Sequence, residues 1–166
     1  MPVSDQGAIP GRYQVIPRTL IFITRPGQVL LVKGSPNKRL WAGKYNGIGG
    51  HVEAGEDILT SARRELLEES GLSVEDLRLC GTVMIDTGDN PGIALFVFIG
   101  NYQGGNIIAS SEGQLEWISI EKLDQLPLVE DLTYLLPEVL RAKEKGTFFS
   151  ACYWYDGENR LQIKWG

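Results

Sequence analysis

Between Gly50 and Leu72 the chain reads GHVEAGEDILTSARRELLEESGL, six carboxylates on a stretch that otherwise has the pattern of an amphipathic helix. Turned at about 100° per residue, residues 57–70 bring Ile58, Leu59, Ala62 and Leu66 onto one arc, the stripe that has to be buried. Glu69 falls inside that arc, Glu65 at its edge and Glu68 one step beyond. A solvated face is the ordinary explanation of a charge run, but it does not account for carboxylates that border the buried stripe. A half-buried carboxylate needs a partner, because isolated charge is costly to desolvate. Arg64 supplies one, reaching Glu68 at i+4. A hard divalent cation, which takes oxygen ligands, would supply another. Gly71 stands where a helix C-terminal glycine belongs.

Such a helix must lie on something, and the flanking sequence offers strands. RTLIFITRPGQVLLVKG reads as a hairpin, with apolar runs Leu20–Ile23 and Val29–Val32 about a turn at Pro26 and Gly27. LRLCGTVMID and GIALFVFIGNYQG read as two more strands. LEWISIEKLDQL reads as a strand leading into a short helix. LVEDLTYLLPEVLRAKEKG predicts a second helix, broken or kinked at Pro137. FFSACYWYDGENRLQIKW predicts a closing hairpin about Asp156–Gly157. SPNKRLWAGKYNGIGG, ahead of the carboxylate helix, reads as loop. The whole predicts helices packed on the faces of a mixed sheet in one domain over residues 18–166, preceded by a Pro- and Gly-rich arm over residues 1–17.

Hydrophobic residues make up 43% of the 166 and charged residues 22%, a globular balance. The net charge of −5 argues against a nucleic-acid polymer as partner, which calls for a basic surface. No apolar stretch is long enough to span a bilayer. Cys80 and Cys152 form no disulfide framework, and MPVSDQGAIP lacks the basic start and apolar run of a secretory signal, so the expected setting is the cytoplasm.

The spacing Gly50, Glu56, Arg64-Glu65-Leu66, Glu68-Glu69, Gly71-Leu72 resembles the Nudix box at every fixed position. The resemblance implies an α/β/α sandwich with a mixed β-sheet and hydrolysis of a nucleoside diphosphate derivative with Mg²⁺ or Mn²⁺. It implies Glu65, Glu68 and Glu69 as metal ligands with the Gly49 carbonyl. Arg64 would orient the glutamates, and Glu56 would act through Arg64. For the catalytic base the box helix offers Glu68 and Glu69. A later loop offers Glu112, with Glu116 as the next choice. The chemistry suits the residues: metal cancels phosphate charge and acidifies bound water, and a carboxylate takes the proton.

WAGKYNGIGG further resembles the branch of that family that clears oxidised purine triphosphates such as 8-oxo-dGTP. That likeness implies a small nucleotide substrate, with Asn46 hydrogen-bonding the base and Glu130 and Asp131 reading the purine edge; the alternatives within the family are hydrolysis of ADP-ribose, a nucleotide sugar or a dinucleoside polyphosphate, and a non-catalytic nucleotide-sensing domain. The bland alternative for Glu130 and Asp131 is a pair of helix N-terminal acids favoured by the dipole. Leu128 stands where that branch places a stacking tryptophan; Phe22 and Tyr134 are the candidate substitutes. Lys33, Lys38, Arg39 and Lys44 cluster ahead of the box, with Arg39 and Lys44 preferred as phosphate contacts. His51 reads as structural or substrate-adjacent, Cys80 as a core thiol, and Trp41, Trp117, Trp154 and Trp165 as core or edge residues. Many relatives pair, and the arm suits a homodimer contact.

Overall fold

The computed structural model describes residues 2, 5–7, 11–36, 41–108 and 113–166. Its frame is one eight-stranded mixed sheet. β1 (Val15–Arg25) turns at Pro26–Gly27 into β2 (Gln28–Gly34), as the apolar runs predict. The two strands pair antiparallel only near the turn, at Ile23↔Leu30, Thr24↔Val29 and Arg25↔Gln28. Beyond that they part, and the Gly-rich segment enters between them. It contributes β3 (Tyr45–Asn46), which pairs with Val32 and Lys33 of β2. Its continuation bonds β1 instead: Ile48 N–H donates to the Ile21 carbonyl (3.1 Å) and Thr19 N–H to the Gly50 carbonyl (2.9 Å).

β4 (Arg78–Ile85) and β5 (Gly92–Asn101) form an antiparallel pair, and β5 lies parallel to the whole of β1. β6 (Gly113–Ser119) covers the outer side of β2, then passes into a 3₁₀ helix over Ile120–Gln125. β7 (Phe149–Tyr155) runs parallel to β4 and turns into β8 (Leu161–Trp165). The turn is held by Asp156, whose Oδ1 accepts from the backbone of Glu158 and Arg160.

Alternation along β1 sorts the interior into two layers. Ile21 and Ile23 face α1 (Ile58–Ser70) and pack with Leu30, Val32, Ala62 and Leu66. Leu20 and Phe22 face α2 (Leu132–Lys145) and pack with Leu31, Leu135, Leu136 and Val139. One helix on each face gives the α/β/α sandwich. Cys80 sits in the α2-side layer, where burial pushes its thiol up to about 12. No helix of the described residues is long and apolar enough to cross a membrane.

Three expectations change. β1 begins at Val15, because its pairing with β5 starts at Val15↔Gly92, so the sheet takes in residues 15–17 of the expected arm. Pro137 lies inside α2 and does not end it, since Leu135, Leu136 and Val139 around it are buried against the sheet. The loop ahead of the carboxylate helix is part strand, because its backbone finds partners on both sides.

Candidate functional site

α1 is built to hold its register. Asp57 caps its start, Oδ1 accepting from Leu59 N (2.9 Å) and Thr60 N (3.0 Å). Gly71 ends it at φ 73, its N–H bonded to the Leu67 carbonyl. Ala62 and Leu66 are buried and Ile58 and Leu59 half-buried, so the predicted stripe meets the sheet. That docking turns Glu65 and Glu69 toward the Gly49–His51 segment.

Arg64 organises the acidic side chains. Its Nε donates to Glu56 Oε1 (2.7 Å) and its Nη2 to Glu56 Oε2 (2.9 Å), a two-pronged pair. Its Nη1 donates to Glu65 Oε1 (2.8 Å) and Glu68 Oε2 (3.2 Å), and Nη2 also reaches the His51 carbonyl (3.1 Å). Hydrogen bonds from Arg64, joined by the Glu53 backbone N–H, hold the Glu56 carboxyl down at about 2. The same bonds raise the Arg64 guanidinium above its ordinary range. Both therefore stay charged through the physiological range.

The two glycines before His51 are dictated by close approach. A Cβ at Gly49 would lie 2.1 Å from the Thr19 carbonyl oxygen, and one at Gly50 would lie 2.3 Å from Glu65 Oε1. Any side chain at Gly50 would displace the Glu65 carboxylate.

Glu65 and Glu69 open into a cavity of about 510 Å³. Its hydrophilic end is walled by Gly49, Gly50, His51, Glu53 and these two carboxylates. Leu20, Ile85, Ile93 and Leu95 make its apolar lining, and Asn46 and Asp131 line it as well. Asn46 Oδ1 accepts from Gly47 N (2.8 Å), which fixes the side-chain amide. Asp131 stands at the start of α2 without a side-chain cap hydrogen bond. Burial, followed by the charge of Glu130, raises its carboxyl above the ordinary value.

Among the described residues, no three Asp, Glu, His or Cys side chains converge as a metal site by themselves. The α1 carboxylates on the wall, with Gly49 beside them, form a hard-oxygen set with open positions. Mg²⁺ uses such a set when substrate phosphates and waters complete its shell, so the donors present fit that kind of ion.

The structure brings together Gly49, Glu65, Glu69, Asn46 and Asp131, and it separates others. Glu68 is 59% exposed, off the cavity wall and paired with Arg64. Glu130 is exposed and accepts from Tyr155 OH (3.2 Å). Lys44 is exposed and off the wall, because its backbone closes a turn onto the Trp41 carbonyl. Glu116, the second choice for the base, accepts from Tyr45 OH (2.8 Å) and does not reach the cavity. Arg39, Lys38 and Glu112 lie outside the described residues.

Neither proposed aromatic substitute reaches the cavity. Phe22 is wholly buried under Gly47, and Tyr134 is exposed on α2. The aromatic on the wall is Trp41, held at φ 51. The expected core or edge role of Trp41 changes accordingly, and its place in a Gly-rich loop five residues before Asn46 is the sequence signal for the cavity. Trp117 stacks under Arg25 and against Tyr102, and Trp165 against Phe149 and Tyr153.

The NUDIX domain family model matches residues 15–139. An oxidized purine nucleoside triphosphate hydrolase of Danio rerio is 36% identical over 126 residues, covering 75% of this chain and 80% of that protein. Its namesake in Mus musculus is 34% identical over 127 residues, covering 76% and 80%. Among solved structures, a MutT protein from Bacillus halodurans superposes with a TM-score of 0.77 at 25% identity, over 91% of this chain and 97% of that one. The box, the sandwich around it and the match across most of the length agree: this chain belongs to the Nudix family of hydrolases.

Proposed function

We propose that the chain hydrolyses an oxidised purine nucleoside triphosphate to the monophosphate and pyrophosphate. The observation that carries this reading is the continuity of the cavity. One space joins Glu65 and Glu69 to an apolar slot flanked by an amide and a carboxylate. The base takes the part of the cavity lined by Trp41 and the aliphatic side chains. Asn46 and Asp131 meet its polar edge, and the phosphates extend toward α1. The relatives named for oxidised purine triphosphates support the same substrate class.

Glu65, with the Gly49 carbonyl, would hold a divalent metal, Mg²⁺ or Mn²⁺, completed by substrate phosphate and water. When bound, the metal neutralises phosphate charge and lowers the pKa of water. Glu69, on the cavity wall, takes the proton from the attacking water. Arg64 fixes the Glu65 rotamer through a bond that Glu56 anchors from behind. Glu68 balances the guanidinium charge from the solvent side.

The test is product release from a panel of dGTP, 8-oxo-dGTP, dATP, ADP-ribose and a dinucleoside polyphosphate, with Mg²⁺ and with EDTA. Metal-dependent release of pyrophosphate and monophosphate, fastest from 8-oxo-dGTP, is the expected result. Cleavage of ADP-ribose alone would keep the carboxylate chemistry and discard the purine slot.

A further inference from the structure

Arg18 is the only Lys or Arg on the cavity wall among the described residues, and it takes no part in the carboxylate network of α1. β1 carries it on the same side as Leu20, the α2 side. The parallel register sets it beside Leu95, with Ile93 and Ile85 in the adjoining rows. It therefore lines the same side of the cavity as these aliphatic residues. Glu65 and Glu69 come from α1, on the opposite face of the sheet. Its backbone is fixed by the bridge to His51 and by the Thr19–Gly50 hydrogen bond.

The side chain sits there without an acceptor. Arg18 Nε is shielded from solvent and has no hydrogen-bond partner. No ion pair among the described residues reaches the guanidinium, although Asp131 shares the cavity. A buried donor is nearly always satisfied in a folded protein. The protein supplies the guanidinium fork with no acceptor, and Arg18 lines the cavity, so a ligand held there is the candidate acceptor. A guanidinium donates in a planar fork and accepts nothing, so it complements a ligand edge rich in acceptors. On an oxopurine such an edge carries a carbonyl oxygen; the exocyclic amine of an aminopurine there would oppose donor to donor.

We propose that Arg18 is a specificity-determining residue that donates to an exocyclic carbonyl oxygen of the bound base, selecting oxopurine over aminopurine nucleotides. The inference rests on the triphosphate reading above and names which member of that class the slot prefers.

Four triphosphates separate the possibilities: 8-oxo-dGTP with carbonyls at C6 and C8, dGTP with C6 alone, 8-oxo-dATP with C8 alone, and dATP with neither. Arg18→Met keeps the unbranched stem and removes the donors. Its expected effect is a loss of kcat/KM of about 10- to 100-fold on the carbonyl-bearing substrate that the parent prefers, the range that losing a hydrogen bond from a charged donor gives. The loss should lie in KM with kcat retained, and dATP should change by less than about threefold on the same basis. Arg18→Lys should recover part of the preference. A loss equal on all four would mean a phosphate contact and overturn the assignment, as would no change at all. A thermal melt of each variant checks folding. If the parent cleaves none of the four, the proposed function fails by itself. Calorimetric titration with 8-oxo-dGMP and dAMP then still reads whether Arg18→Met erases a carbonyl preference.

Discussion

At the scale of single residues, position on the cavity wall separates the glutamates of α1 more sharply than their spacing does. Glu69 lies on the wall and Glu68 does not. Glu69→Gln keeps the shape and removes the base, so kcat should fall by about 10²- to 10⁴-fold with an unchanged melt. Normal turnover at saturating Mg²⁺ would remove Glu69 from the mechanism. Asp131 makes a prediction about stability. Burial raises its folded-state pKa above the ordinary 3.8. The native state then holds that proton more tightly than the unfolded chain does, so stability falls as pH rises from 3.8 toward the folded value. Asp131→Asn has no such proton to lose. Its melting temperature should match the parent near pH 3 and exceed it at pH 7; parallel curves across that range would contradict the burial argument.

At the scale of elements, much of the frame was readable. The β1–β2 hairpin, β4, β5, the C-terminal hairpin and the limits of α1 follow from apolar runs and from Pro, Gly and Asp at their ends. Long-range pairing was not readable. Nothing local in Tyr45–Asn46 marks a strand; they become one because β2 and β1 part and leave backbone groups to be met. The same limit hid part of the site. Leu20, Ile85, Ile93 and Leu95 come to line one cavity through registers between β1, β5 and β4, and no spacing in the chain encodes that. Glu116 looked available in sequence only because its partner, Tyr45, is 71 residues away. The cap of α1 was implicit in Asp57, and it is separable from the chemistry. Asp57→Ala should cost about 1 kcal/mol, read as a lower melting temperature. kcat/KM measured well below the melt should hold. A large loss of activity with no loss of stability would show that Asp57 acts on the site directly.

For the whole molecule, both layers of the sandwich are closed by aliphatic and aromatic side chains, and the acidic residues of the cavity lie at their margin. Metal should therefore be needed for turnover and not for folding. EDTA is expected to stop hydrolysis while leaving the melt of the ligand-free protein in place. Added Mg²⁺ should raise stability only by binding linkage, about 2.7 kcal/mol at a hundred times its Kd. Unfolding in EDTA would mean that metal is part of the core. The segment Tyr45–Gly50, clamped between β2 and β1, has a consequence at this scale. It carries Asn46 at one point and Gly49 three residues on, and hydrogen bonds to both neighbours forbid it to slide. In extended chain those points stand about 10 Å apart. Under the proposed function, the segment is a fixed gauge with base recognition at one mark and phosphate chemistry at the other. A nucleotide would be measured against it, and the bond that falls beside α1 would be the one that is cut.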